Sequence, residues 1–322
     1  MLSILKDNQM MSDNTETTII LPSTPTTPIY LLYPQRFYVL GVFSLLTFTQ
    51  CMIWLTFSPI ARSTEAYYKI DEATVDLLLN WGCIIFIPCL PLSYILMNKR
   101  HGLRRCIILL AITIFIAALI RVIPIVITSP SSPNFRSISL PFLHVGQILN
   151  AACGPLVMAP VAQLSCLWFA PHERTRATTI AIFANSFGAT IGFVISPYIA
   201  SEAGHVPRLL YLHLGLAFVA CILTLLYFPA QPPSAPSAAA ELLMFHPDTI
   251  ESSELLKNYI KDVRKCLTTP AFVFLSMTGG LIFGVFGTWT SILDVILEPQ
   301  GYSETEAGNE RKFCIIKRYI FL

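Results

Sequence analysis

Seven apolar stretches, each about long enough to cross a bilayer, decide what this chain can fold into. They run from Phe37 to Ile60, Leu77 to Met97, Cys106 to Thr128, Phe142 to Phe169, Thr178 to Ala200, Leu210 to Phe228 and Ala271 to Leu297. A hydrocarbon core of ~30 Å takes about 20 residues at the helical rise of ~1.5 Å. Inside lipid a segment must satisfy its own backbone hydrogen bonds, which a helix does and a lone strand does not. The expected fold is therefore an all-α, polytopic membrane protein. Composition agrees, since hydrophobic residues make up 54% and charged residues 12%, whereas a soluble domain carries about 25% charge.

The placement of the charges orients the chain. With a cytosolic N-terminus, the inner side holds Lys6, Arg36, Lys99, Arg100, Arg104, Arg105, Arg174, Arg176, Lys257, Lys261, Arg264 and Lys265, and the outer side only Arg62, Lys69, Arg136 and Arg208. Cationic loops stay on the cytoplasmic face, so this orientation is expected. It disfavours a heptahelical receptor, whose N-terminus lies outside. The chain also has no Asp-Arg-Tyr or Asn-Pro-x-x-Tyr string. A net charge of +2 is too small to suggest a nucleic-acid partner. No phosphate-binding glycine loop, metal-ligand cluster or serine, histidine and aspartate set points to an enzyme or a cofactor.

Residues 1–35 read as a disordered cytosolic tail, polar and rich in Ser, Thr and Pro. Within it Glu16 to Leu21 approximates an acidic dileucine signal that sorting adaptors would read. Residues 36–228 form a six-helix transmembrane bundle. The segment 229–270 is a cytosolic linker that opens with prolines too dense for a helix. Its second half places Leu255, Leu256, Tyr259, Ile260, Val263 and Leu267 at helical spacing among lysines and arginines, an amphipathic helix suited to an anionic lipid surface. Residues 271–298 form a seventh transmembrane helix. The final stretch, 299–322, carries Arg311, Lys312, Lys317 and Arg318 and is too short and charged to span, so it reads as a truncated tail. The nine cysteines have no metal-type spacing and read as small buried hydrophobes.

Between the second and third stretches, Asn98-Lys99-Arg100-His101-Gly102-Leu103-Arg104-Arg105 packs four basic residues and a glycine into one tight turn. This resembles the signature loop of the major facilitator superfamily. That pattern has an acidic residue where Asn98 stands, and His101 looks like an insertion. Trp168 to Ala177, with Glu173 and Arg174, resembles the matching half-motif. The resemblance implies a gating role for Asn98, Arg100, Gly102, Arg104, Glu173 and Arg174. Arg36, Trp54 with Ser58-Pro59-Ile60, Trp81-Gly82, Pro88-Cys89, Arg121 with Pro124, Gly146-Gln147 with Asn150, and Gly284 with Trp289 and Leu293-Asp294 narrow the likeness to solute carrier family 49. The implied architecture is a two-bundle transporter, of which the chain holds the N-terminal six-helix bundle and one helix of the second bundle.

The resemblance also implies an activity: secondary active transport of a small organic solute by alternating access, expected to be proton-coupled export of pyridoxine (vitamin B6) from lysosomes. Choline, ethanolamine or haem transport, a plasma-membrane location, and a non-transporting fragment stay open. Trp54 shares a helix face with Gln50 and offers an indole surface for a ring or cation. In choline-transporting family members a tryptophan at the matching point contacts the ligand. Those members carry glutamine where this chain has Ser186. Gln147 and Asn150 form a polar strip that serves substrate or neighbouring helices, and Trp289 completes the expected substrate-binding set. Asp294, near the end of the seventh stretch, is the candidate proton-coupling group. Arg121 is expected to snorkel to the outer headgroups, with a structural ion pair or a substrate contact as the alternatives, and His144 and His213 to begin their helices at the outer interface. Gly188 and Gly192 permit close helix contact.

Overall fold

The structure is a computed structural model that describes residues 30–244 and 252–297, without the side chains of 283 and 286–297. The proposed sorting signal at Glu16 to Leu21 and the tail 299–322 lie outside the described residues. By its contacts the chain divides into 1–30 and 31–322, and the described helices belong to the second unit. In chain order they are α1 (Gln35–Trp54), α2 (Ala61–Tyr68), α3 (Glu72–Met97), α4 (Gly102–Ile127), α5 (Phe135–Ala152), α6 (Gly154–Met158), α7 (Pro160–Trp168), α8 (Arg174–Ile199), α9 (Val206–Leu226), α10 (Ala238–Met244), α11 (Ser252–Thr268) and α12 (Pro270–Leu297). No strand occurs among the described residues. Six spans pass on length and apolarity. α11 and the first part of α12 pass only as a pair bent by 85°.

Two of the apolar stretches are not single helices. The first stops at Trp54, and the chain passes through a 3-10 turn at Ser58–Ile60 before α2. Pro59 has no N–H to donate to the carbonyl four residues back, so a continuous helix to Ile60 would lose a bond there. The fourth begins at Phe135 rather than Phe142, and breaks at Cys153 and Ala159, ahead of Pro155 and Pro160. Both breaks leave main-chain carbonyls for side chains to bond.

The core is built on α1, α4 and α9, with Phe43, Leu46 and Ile53 on α1 buried against Leu110, Ile114 and Ala118 of α4 and Ala217 and Ala220 of α9. α8 packs along α1, and Gly188 is the reason it can approach so closely. A Cβ there would lie 2.3 Å from the Phe48 carbonyl oxygen, whereas one on Gly192 would meet Met52 at an ordinary 3.5 Å. α3 is the least buried of the six spans.

The linker differs from expectation in holding α10, which docks on α7. The helix is started by Ser237, whose Oγ accepts the Ala240 N–H at 3.2 Å. α11 is helical and amphipathic, with Lys257, Lys261, Arg264 and Lys265 exposed. It packs on α3: Leu255 is buried, the Tyr259 and Tyr94 rings lie 5.3 Å apart, and the Tyr94 hydroxyl donates to Asp262 Oδ2 at 3.0 Å. Cys51, Cys106, Cys153 and Cys221 are buried, but Cys83 is exposed, so the small-hydrophobe reading does not hold for all.

Candidate functional site

Where α1, α3, α6 and α8 converge they enclose a cavity of about 110 Å³ lined by Gln50, Trp54, Gly82, Phe86, Gly154 and Asn185, among others. Trp54 forms its wall because α3 gives way at Gly82. A Cβ at that position would lie 2.2 Å from the indole Nε1. The indole N–H donates to the Leu79 carbonyl at 3.1 Å, which uses its one polar group and leaves the ring as an apolar, π-bearing surface. Gly154 likewise makes room for Phe86, whose ring lies 2.8 Å from where its Cβ would be.

The amides behave differently from one another. Gln50 lines the cavity and is tied to α5 through a reciprocal pair: its Nε2 donates to the Asn150 carbonyl at 3.2 Å, and Asn150 Nδ2 donates to the Gln50 carbonyl at 3.3 Å. Asn150 and Gln147 are buried behind the wall and do not line it. Gln147 Nε2 donates to the carbonyls of Trp54, the last residue of α1, at 3.3 Å and of Leu78 on α3 at 3.4 Å. Ser186 is half-buried and off the cavity. Its neighbour Asn185 lines it instead and donates to the Thr47 carbonyl at 3.0 Å. The signal for Asn185 was available, since Gly188 and Gly192 follow at helical spacing and mark the face of α8 turned to α1. The side chains of Trp289 and Asp294 lie outside the described residues.

Arg121 does not snorkel. It is 1% exposed and projects from α4 into the break of α1. Its Nη1 donates to the Ile53 carbonyl at 3.3 Å, to Thr56 Oγ1 at 3.1 Å and to Gln147 Oε1 at 3.2 Å, and its Nη2 reaches His213 Nδ1 at 3.5 Å. The guanidinium carbon also sits 5.6 Å from the centre of the Phe57 ring. Among the described residues no carboxylate pairs with it, so the cation is held by dipoles and a ring face alone. His213, expected at the interface, is fully buried here, its Nδ1 also 3.2 Å from Thr56 Oγ1. One-dimensional hydropathy cannot give the rotation of a helix, and Gly146 was the hidden clue. A Cβ at Gly146 would lie 2.4 Å from Arg121 Cγ, so the glycine is what lets the stem pass.

A second constellation closes the end that carries the basic loops. Arg36 of α1 pairs with Glu173 at 3.2 Å, while its guanidinium lies over the rings of Phe37 and Phe169, 4.8 and 5.7 Å from their centres. Arg174 donates to the carbonyls of Phe169 at 3.4 Å and Cys166 at 3.3 Å, and to Ser237 Oγ, which fastens the chain after α9 to α7. In the loop between α3 and α4, Asn98 Nδ2 donates back to the Tyr94 carbonyl at 2.8 Å, ending α3. His101 takes the left-handed conformation at φ 54°, and Gly102 abuts the Leu96 carbonyl, which a Cβ would meet at 2.3 Å. Arg100 and Arg104 are exposed. A wider cavity of about 540 Å³ lies beside this end, lined by Ser93, Tyr94, Asn98, Gln163 and Tyr259 among others.

Known proteins resemble this arrangement. The chain is 30% identical to a solute carrier family 49 member 4 homolog of Xenopus laevis over 90% of its own length and 62% of that protein's. It is 32% identical to a solute carrier family 49 member A3 of Xenopus tropicalis, covering 86% of this chain and 55% of that one. Similarity extends at 25% identity to a choline/ethanolamine transporter of Danio rerio, over 88% of this chain and 56% of the relative. The chain thus spans less than two thirds of the length of these relatives. The crystal structure of a D-xylose-proton symporter superposes with a TM-score of 0.57 at 15% identity, covering 87% of this chain and 66% of the symporter. That likeness speaks to the fold alone. Residues 43–308 match the Major Facilitator Superfamily, and with its bundle of apolar spans the chain belongs to that family of membrane transporters, not to a family of enzymes.

Proposed function

We propose that this chain is the substrate-cavity half of a proton-coupled carrier that exports pyridoxine from lysosomes, its N-terminus cytosolic. The observation that carries the reading is the Trp54 wall: a π surface whose N–H is already occupied, with the amides of Gln50 and Asn185 on the same cavity. A flat pyridine ring stacks on the indole, and its hydroxyls suit the amides. Gln147 and Asn150 support that wall from behind; Trp289 of the seventh span is assigned to the same solute and Asp294 to the proton. Asn98, Arg100, Gly102, Arg104, Glu173 and Arg174 hold the cytosolic gate. Adaptors reading Glu16 to Leu21 direct the protein to lysosomes. Identity to the choline/ethanolamine transporter is lower than to the solute carrier family 49 member 4 homolog, which weakens the case for choline.

The test is uptake of labelled pyridoxine by cells carrying the whole protein at the plasma membrane, in acidic medium. Uptake above control that falls at least ~5-fold in Trp54→Ala, about the ~1 kcal/mol of one aromatic contact, supports the proposal. Uptake of choline but not pyridoxine selects the second reading, and a pyridoxine signal undiminished in Trp54→Ala removes the role of the indole.

A further inference from the structure

α5 brings His144 against α3, where Trp81 Nε1 lies 2.9 Å from His144 Nδ1 and the two rings meet edge to face, 6.2 Å apart at 83°. An indole N–H only donates. Nδ1 therefore has to be the unprotonated nitrogen of the ring, and Nε2 carries the hydrogen. A proton added to His144 goes to Nδ1 and sets two donors face to face, so the Trp81 bond cannot survive it.

The stretch of α3 that would feel this is the one that seats Trp54. Leu78 accepts from Gln147, which lies three residues after His144 on the same face of α5, and Leu79 accepts from the Trp54 indole. Gly82 follows Trp81 directly and lies against that indole. Three bonds from two helices thus converge on residues 78–82, and one of them depends on a histidine being neutral.

We propose that His144 is a proton-accepting residue of this carrier: taking a proton at Nδ1 releases Trp81 and loosens the joint between α3 and α5 that holds the Trp54 wall. This rests on the proton-coupled reading above. The neighbouring charges allow the proton to come and go. On α5 the other charged group is Arg136, exposed and 3.9 Å from Asp71. From α4, Arg121 is committed to Ile53, Thr56, Gln147 and His213. α3 contributes Glu72 and Asp76, both exposed, α2 contributes Arg62, Glu65, Tyr67 and Tyr68, and α1 contributes Cys51. Among the described residues the contact seen at the His144 ring is the one with Trp81, and Arg62 and Glu65 have interactions of their own. The ring is half-buried rather than sealed.

The deciding measurement needs no solute. In lipid nanodiscs, tryptophan emission of the chain is followed from about pH 8 to about pH 5, the window in which histidine changes charge. An imidazolium quenches an adjacent indole, so emission should fall on acidification. The fall should shrink by at least half in His144→Gln, which keeps an acceptor for Trp81 but cannot titrate, and in Trp81→Phe, which removes the reporter. Trp168→Phe should leave it intact. An unchanged fall in both His144→Gln and Trp81→Phe overturns the proposal. In the uptake assay, His144→Gln should lose most of the difference between acidic and neutral medium, and a wild-type pH profile in that variant also overturns it. Absence of pyridoxine uptake at every pH would count against the solute, while the emission titration still decides the role of His144.

Discussion

Replacing Arg121 by lysine separates a buried hub from a snorkelling cation, because the charge is kept and only the geometry of donation changes. A snorkelling arginine would tolerate lysine. In the bundle the guanidinium reaches four acceptors with two nitrogens, on the broken end of α1, on α5 and on α9. An ammonium offers its donors from one point and a shorter stem, so it cannot serve the α5 and α9 sides together, and about half of the contacts are lost. Hydrogen bonds between membrane helices are worth ~0.6 kcal/mol on average and up to ~1.7. Two lost bonds plus the ~1 kcal/mol of leaving a buried acceptor unpaired sum to ~2 kcal/mol. At roughly 2 to 4 °C per kcal/mol for a bundle of this size, the midpoint should fall by ~4 to 8 °C in a fluorescence melt of the chain in detergent. Arg104→Lys, exposed in the first turn of α4, serves as the control and should not move. A midpoint for Arg121→Lys within ~1 °C of wild type would refute the hub.

Gly188→Ala places a methyl 2.3 Å from the Phe48 carbonyl oxygen, a backbone atom that cannot rotate away, and should cost ~1 to 3 kcal/mol by forcing α1 and α8 apart. Gly192→Ala meets only ordinary contact and should be neutral or slightly stabilising through helix propensity, so the two melts must differ in that direction. Tyr94→Phe removes the hydroxyl that holds Asp262, a bond worth ~1 kcal/mol. Hydrogen exchange across Ser252–Thr268 should quicken ~5-fold, and an unchanged rate would mean that α11 is held by something other than this contact.

The spans were legible because length and apolarity are one-dimensional properties, and the membrane rewards both. Pro155 and Pro160 stand in the string where the fourth span breaks, and each removes a backbone donor there. The same argument applied to Pro59, but the apolar run around it masked the end of α1. What the string could not give is rotation about each helix. In the string Gln147 and Asn150 form a polar strip open to substrate or to neighbouring helices, and in the bundle they turn to backbone carbonyls behind the wall. Ser186 was named where Asn185 stands, one residue and therefore about 100° away. In both cases the informative residues were glycines: 82, 146 and 188 mark where a neighbour comes too close for a side chain.

The two polar constellations also divide the bundle mechanically. α1 is fixed near one end by Arg36 and Glu173 and at the other by Arg121, so it is tied to α4, α5, α8 and α9 by groups that are costly to unpair in lipid. α3 has no such clamp on its cavity half. Besides apolar contact it is held at residues 78–82 by Gln147, Trp54 and His144, and its remaining surface is the most exposed of the six spans. Gly82 and Phe86, which line the cavity, ride on that same helix. A shift of α3 against a stationary α1 therefore changes the space beside Trp54 and leaves the core of α1, α4 and α9 in place. Of the three bonds that resist the shift, the one from Trp81 to His144 is the one a proton can remove, so under the role proposed for His144 it is α3 that acidity would release.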